Sequence, residues 1–167
     1  WEIRRRPPFE PVEVDRLLGA AMMMRRRALE DTGGFDERFF LFSEEEDICL
    51  RLKQAGWRIY YHPGPQIVHR GAASTDQNLP MAVAAADWSR YLFMKKHHSR
   101  LSAEVSRFIW IAAVFLRLLL VHLMSPLKGM PRAEGYLLSL RSLLKPGYFE
   151  RAVRPQRRND LQTRVVD

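Results

Sequence analysis

The sequence predicts an α/β part followed by a basic, α-helical extension, and three observations carry that expectation. A helix with readable start and stop signals lies between residues 43 and 56, with short runs of strand character after it. Apolar stretches of helical length crowd the second half of the chain. Charge divides along the same line: residues 1–76 hold 12 Lys/Arg against 13 Asp/Glu, net −1, whereas residues 77–167 hold 15 against 6, net +9. The boundaries that follow are 1–76 for the α/β part, 77–150 for the extension and 151–167 for a disordered polar tail.

Taken in order, Trp1 to Pro11 is basic and proline-containing and reads as a loop or edge segment. Val12 to Met24 is apolar around Gly19, and its periodicity fits a buried strand as well as a short helix. Arg25 to Thr32 reads as a helical turn stopped by Gly33-Gly34. Ser43 is an N-cap residue type, and Glu46 three positions later completes a capping box. Glu44, Glu45 and Glu46 occupy the first turn, where the helix dipole favours anions; Ile48, Leu52 and Ala55 share one face, and Gly56 follows as a C′ residue. Trp57 to Tyr61 and Gln66 to His69 read as strands split by His62-Pro63-Gly64-Pro65.

Asn78 and Pro80 start a helix expected to run to about Lys96. Phe108 to Met124 is a 17-residue apolar stretch containing Arg117 and His122, marginal for a hydrocarbon core of roughly 30 Å. Arg117 argues against a simple span. In Arg132 to Lys145 a stripe of Tyr136, Leu137, Leu140, Leu143 and Leu144 stands opposite Arg141 and Lys145, the pattern of a helix lying on a membrane surface. Nucleic acid is the other use for such charge, but no nucleic-acid fold signature accompanies it, and the clustered Leu and Val favour lipid. Cys49 is the only cysteine, which excludes an internal disulfide framework and suits a reducing compartment.

Capping does not use up the acidic run Glu44 to Asp47. Adjacent carboxylates repel one another and raise at least one pKa, and a carboxylate near apolar side chains can serve as a general base. The surrounding pattern gives that chemistry a context. Gly19, Arg25-Arg26, Gly33-Gly34-Phe35-Asp36-Glu37, Glu44-Glu45-Glu46-Asp47-Ile48, Arg51, Ala55-Gly56-Trp57, Pro63 and His69 to Ser74 stand in one order over Val14 to Ser74. This order resembles the C-terminal half of the catalytic domain in family 2 glycosyltransferases, especially the rhamnosyl- and galactofuranosyl-transferase-like members.

The resemblance implies a GT-A fold, a nucleotide-diphospho-sugar donor and inverting transfer to a lipid-linked or cell-envelope glycan at the cytoplasmic face of the membrane. It implies Glu45 as the base, at a position where many relatives carry Asp, with Glu44 as the competing carboxylate. Asp47 is expected to orient Arg51 or a substrate hydroxyl. Gly19, Asp36, Glu37, Arg51 and Trp57 are the substrate-side expectations, and His69 is expected to help hold a divalent cation, Mg²⁺ or Mn²⁺, on the donor diphosphate. The family's donor-binding half and its D-x-D motif have no counterpart here, and the chain begins at Trp1. The chain is therefore expected to be a fragment or truncated product, inactive alone. A non-catalytic, basic membrane-binding or scaffold module is the alternative.

Overall fold

In the computed structural model the described residues are 9–69, 75, 77–124, 131–145 and 147–153. They form two compact units, residues 1–37 with 43–71, and residues 38–42 with 72–167.

The first unit contains β1 (Val12–Glu13), α1 (Arg26–Thr32), α2 (Glu44–Gln54) and β2 (Tyr60–Tyr61). β1 and β2 pair antiparallel, with Val12 opposite Tyr61 and Glu13 opposite Tyr60. This two-residue ribbon is the whole of the sheet among the described residues, so the α/β expectation is met only in small part. The expected strand at 57–61 shrinks to its last two residues, and 66–69 carries no strand. Pro63 and Pro65 lack the N–H that a ladder requires. Val12 to Met24 is neither strand nor helix beyond β1: it runs as an irregular extended segment with a turn at residues 19–20.

α1 ends as its sequence demands. Gly33 and Gly34 adopt φ of 75° and 73°, and their N–H groups donate to the Glu30 and Leu29 carbonyls at 3.2 and 2.8 Å. α2 ends at Gly56, φ 83°, where Trp57 N–H closes on the Leu52 carbonyl at 2.9 Å. Ala28, Ile48 and Leu52 make the core of this unit, with Met22, Met24, Leu29 and Trp57 packed around them.

The second unit is helical: α3 (Leu79–His97), α4 (Arg100–Met124) and α5 (Pro131–Leu144), followed by a helical turn over 148–153. Asn78 caps α3, its side chain accepting from Met81 N–H at 3.2 Å, and Pro80 sits in the first turn. The core joins Ala84, Ala85, Trp88 and Tyr91 of α3 with Val114, Leu143, Phe149 and Val153. The aromatic run belongs to this core: Phe40 meets Phe149 edge-on at 6.3 Å, and Ser89 Oγ donates to the Leu41 carbonyl at 2.8 Å. Helical structure therefore continues through 153, past the expected start of a disordered tail at 151; residues 154–167 lie outside the described residues.

α4 starts eight residues before Phe108 and is 25 residues long, about 37 Å at 1.5 Å per residue. By length and composition it can cross a membrane. Ala103 and Val114 are buried, whereas Leu101, Val105, Phe108, Phe115, Leu116, Leu119, Leu120 and Leu123 are exposed. Arg117, which argued against a span from sequence, lies over the Tyr136 ring of α5 at 6.0 Å, so its charge has a partner within the bundle.

α5 departs from the expected amphipathic stripe. Its buried positions are Gly135, Ser139, Ser142 and Leu143, while Leu137 and Leu144 are exposed. The small residues bring α5 close to α3: Ser139 Oγ donates to buried Asp87 Oδ2 at 2.7 Å, and a Cβ on Gly135 would lie 2.8 Å from Val83 Cβ and 3.1 Å from Pro80 Cα. Both Pro80 and Val83 sit on a helical backbone that cannot yield locally. Gly135→Val is expected to cost about 1–3 kcal/mol by overpacking. A thermal melt checks this, and an unchanged midpoint would show that the two helices separate freely.

Candidate active site

The site grows from an extended segment laid along α2. Lys53 pairs with Asp15, the Leu17 backbone meets the Cys49 thiol, and Gly19 faces the Glu45 side chain. Two residues of extended chain advance roughly 6.6 Å and four helical residues roughly 6 Å, so 15, 17 and 19 keep step with 53, 49 and 45. That register delivers Gly19 to the helix N-terminus. A Cβ there would stand 3.6 Å from Glu45 Cβ and 3.8 Å from its carboxyl carbon. Alanine would touch; a longer side chain would fill the space beside the carboxylate.

The helix start is strained rather than capped. Phe42 and Ser43 hold φ of 68° and 62°, consecutive left-handed conformations without glycine, costing about 1–3 kcal/mol each. Ser43 occupies the N-cap position, but its side chain makes no capping bond. An N-cap normally adopts extended backbone to aim its oxygen at the first-turn amides, and Ser43 does not. Glu46 pairs with Arg16 instead of reaching back. The expected capping box is thus absent, and the sequence carried no signal for the left-handed pair.

The four acidic residues take different environments. Asp47 is fully buried and accepts from Arg51 Nε at 2.9 Å and Nη2 at 2.7 Å. Arg51 also donates to the Thr32 and Gly34 carbonyls, at 2.6 and 2.7 Å. Its guanidinium is therefore engaged with the glycine turn that ends α1. Glu44 and Glu45 each bury Oε2 with no hydrogen-bond partner among the described residues. Burial pushes the Glu44 carboxyl above the usual carboxylate range; its own backbone amide opposes this, and the charges of Glu45 and Glu46 add to it. Burial likewise raises the Cys49 thiol, against the Leu17 backbone bond, which leaves a protonated, unreactive side chain.

Trp57 packs on the Ala28, Ile48 and Leu52 core and donates to Asp31 Oδ2 at 3.2 Å, so much of its surface is spent within the unit. Asp36 is partly exposed and Glu37 exposed in the loop after the glycine turn. His69 is exposed in irregular chain, and residues 70–74, which complete its motif, lie outside the described residues. No group of three His, Cys, Asp or Glu suited to a metal ion occurs among the described residues. His69 alone does not make a site for the divalent cation that the resemblance implies.

Residues 11–85 match the family described as Glycosyltransferase like family 2. Over 97 residues the chain is 38% identical to N-acetylglucosaminyl-diphospho-decaprenol L-rhamnosyltransferase of Mycobacterium tuberculosis, covering 57% of this chain and 32% of that protein. It is 34% identical to rhamnosyltransferase WbbL of Escherichia coli over 61 residues, 36% of this chain and 23% of that one. The O-antigen biosynthesis protein RfbC of Myxococcus xanthus is 30% identical over 99 residues, 54% of this chain and 8% of its own length. No solved structure matches. The similarity is to family 2 of the glycosyltransferases, and to rhamnosyltransferases among the relatives. The chain spans about a third or less of the length of these relatives.

Proposed function

We propose that the first unit supplies the catalytic-base side of an inverting glycosyltransferase. The enzyme would move a sugar from a nucleotide-diphospho-sugar to a lipid-linked or cell-envelope glycan. The observation that carries this is the pair of buried, unpartnered carboxylate oxygens on Glu44 and Glu45, inside the segment that matches the family. Unsatisfied buried acceptors are costly, and an acceptor hydroxyl would satisfy one. Glu45 then takes the hydroxyl proton as that oxygen bonds to the anomeric carbon. The bond from this carbon to the diphosphate breaks on the opposite face, and the diphosphate leaves with the electron pair. Asp47 and Arg51 hold the glycine turn rather than the sugar, and Gly19 keeps the space beside Glu45 open. A divalent cation would need ligands beyond His69, and no step is routed through it.

The relatives named for decaprenol-linked and O-antigen products support rhamnosyl transfer in envelope polysaccharide synthesis as the specific reading. It is tested by reading the coding sequence upstream of Trp1 and assaying the longest in-frame product. A D-x-D segment upstream, with label passing from nucleotide-diphospho-rhamnose to a polyprenyl-diphospho-N-acetylglucosamine, is expected. A product that turns over no nucleotide sugar would overturn it.

The second unit is proposed to sit at the cytoplasmic face of the membrane, on the exposed apolar side of α4. Burial of a Leu side chain contributes roughly 1.5–3 kcal/mol, so several together suffice for stable attachment. The chain is expected to float with anionic vesicles, and replacing Leu116, Leu119, Leu120 and Leu123 by Gln is expected to abolish flotation. Flotation unchanged by those four substitutions would remove α4 as the contact. Should the chain bind vesicles while the longest product transfers no sugar, the scaffold reading would replace the enzymatic one.

A further inference from the structure

α4 presents its exposed apolar residues to one side only. At about 100° per residue, the exposed apolar positions from Leu101 to Leu123 all fall within an arc of about 140°, bounded by Phe115 and Leu120. From Leu101 to Leu123 this face runs about 33 Å. Every charged residue of the helix, Arg100, Glu104, Arg107 and Arg117, falls outside the arc, as does His122. Two of these cations turn back into the unit: Arg107 pairs with Glu104 at 2.7 Å and stands over the Tyr91 ring at 5.9 Å, and Arg117 stands over the Tyr136 ring. The outer face of α4 therefore carries no charge, although the sequence of the helix does.

The rest of the unit is built differently. α3 and α5 share the core that the inner side of α4 packs on, and their outward residues include charges: Arg90 and Lys95 on α3, Glu134 and Arg141 on α5. Arg90 adjoins Tyr91, which meets Arg107 about 9 Å along α4 from Leu101. Glu134 and Arg141 flank Tyr136 in sequence, and Tyr136 meets Arg117 about 9 Å from Leu123. Were α4 to cross the bilayer, it would carry these neighbours into the hydrocarbon, where exposed charges are costly. α5, about 21 Å long, is also too short to reach across a core of ~30 Å.

We propose that α4 binds the bilayer as an in-plane helix, its apolar arc sunk among the acyl chains and its axis parallel to the surface, and does not cross it. This rests on the reading that α4 is the membrane contact. The one-sided apolar face is then the reason that a helix long enough to span stays in one leaflet. A second copy of the chain fits the face less well. A helix pair is sealed by a seam much narrower than this arc. Facing copies would also set the flanking Arg100 and Arg117 of each against those of the other, in a chain of net charge +8. Anionic head groups instead complement these two side chains, which are exposed beside the arc.

Spin-label depth measurement on the whole chain, bound to vesicles of phosphatidylethanolamine and phosphatidylglycerol, tests the proposal. Single cysteines are introduced as Leu101→Cys, Ile109→Cys, Leu116→Cys and Leu123→Cys, all at exposed positions. The parent chain, whose only cysteine, Cys49, is buried, gives the background. All four labels are expected at one depth, roughly 5–10 Å below the head groups. Labels at Glu134→Cys and Arg141→Cys are expected to stay as open to an aqueous nickel chelate on vesicles as in solution. A profile that is shallow at 101 and 123 and reaches the bilayer centre between them, ~15 Å down, overturns the in-plane helix while leaving α4 as the membrane contact. Loss of the nickel effect at 134 and 141 does the same. Binding with all four α4 labels in water, or no binding at all, removes the membrane reading of α4 and this inference with it. Spin–spin broadening at 109 or 116 that persists on vesicles, and vanishes on dilution with unlabelled chain, assigns the face to a second copy and overturns the proposal.

Discussion

Glu45→Gln, introduced into the longest product that carries this segment, is expected to lower the transfer rate by about 10²–10⁴-fold, the range a positioned general base contributes. The substitution keeps the side chain's length and its contact with Gly19 and removes only the ability to take a proton. Binding of donor and acceptor is expected to change little, so the loss falls on kcat rather than KM. Glu44 is the competitor, because burial lifts its carboxyl above the usual carboxylate range. Glu44→Gln should cost far less if Glu45 is the base, since it also relieves like-charge repulsion along the turn. Near-normal turnover by the Glu45 variant, with collapse in the Glu44 variant, would move the role one residue upstream. Gly19→Leu provides a steric check: it places bulk beside Glu45 without altering any charge, and should lower the rate while the protein stays folded.

How much of this site was legible depended on whether its signals were local. The α2 helix was readable from Ile48, Leu52 and Gly56, and the Asp47–Arg51 pair from its i, i+4 spacing, because helical periodicity fixes both within one turn. The start of α2 is set by tertiary contacts instead. Ser43 and Glu46 form a good capping box on paper, but tertiary demands gave Ser43 a left-handed backbone and Glu46 an arginine thirty residues away. The partnership of Gly19 with Glu45 depends on an extended segment running alongside a helix, which no single-segment pattern reveals. α5 shows the same limit: its leucine stripe suggested a lipid face, whereas Leu143 of that stripe is buried together with Gly135, Ser139 and Ser142, and Tyr136 and Leu140 pack against the same core. The length of α4 was underestimated because Arg100, Glu104 and Arg107 interrupt the apolar run; Glu104 and Arg107 pair with each other at 2.7 Å, and Tyr91 donates to Glu104 at 3.2 Å.

Asp47→Ala is expected to destabilise the first unit by about 3 kcal/mol, the lower end for removing one partner of a buried pair. Asp47 is fully buried and the Arg51 side chain is 17% exposed, so water relieves the stranded guanidinium only in part. The remaining bonds to the Thr32 and Gly34 carbonyls do not replace the carboxylate, because carbonyl oxygens carry no net charge to offset that of arginine. Those two carbonyls belong to the turn that ends α1, so the loss should spread there. Amide exchange at residues 33–37 is expected to accelerate with the fall in stability, before α2 itself opens. For a unit of this size, 3 kcal/mol corresponds to roughly 12–24 °C in Tm. Asp47→Asn should fall between, since it keeps one acceptor and the side-chain shape. Arg51→Lys should approach the alanine variant, because a single ammonium cannot reach Asp47, Thr32 and Gly34 with the planar fork of a guanidinium. A shift of less than about 2 °C for Asp47→Ala would mean that the glycine turn holds without the pair, and that the buried carboxylate serves the acceptor site directly.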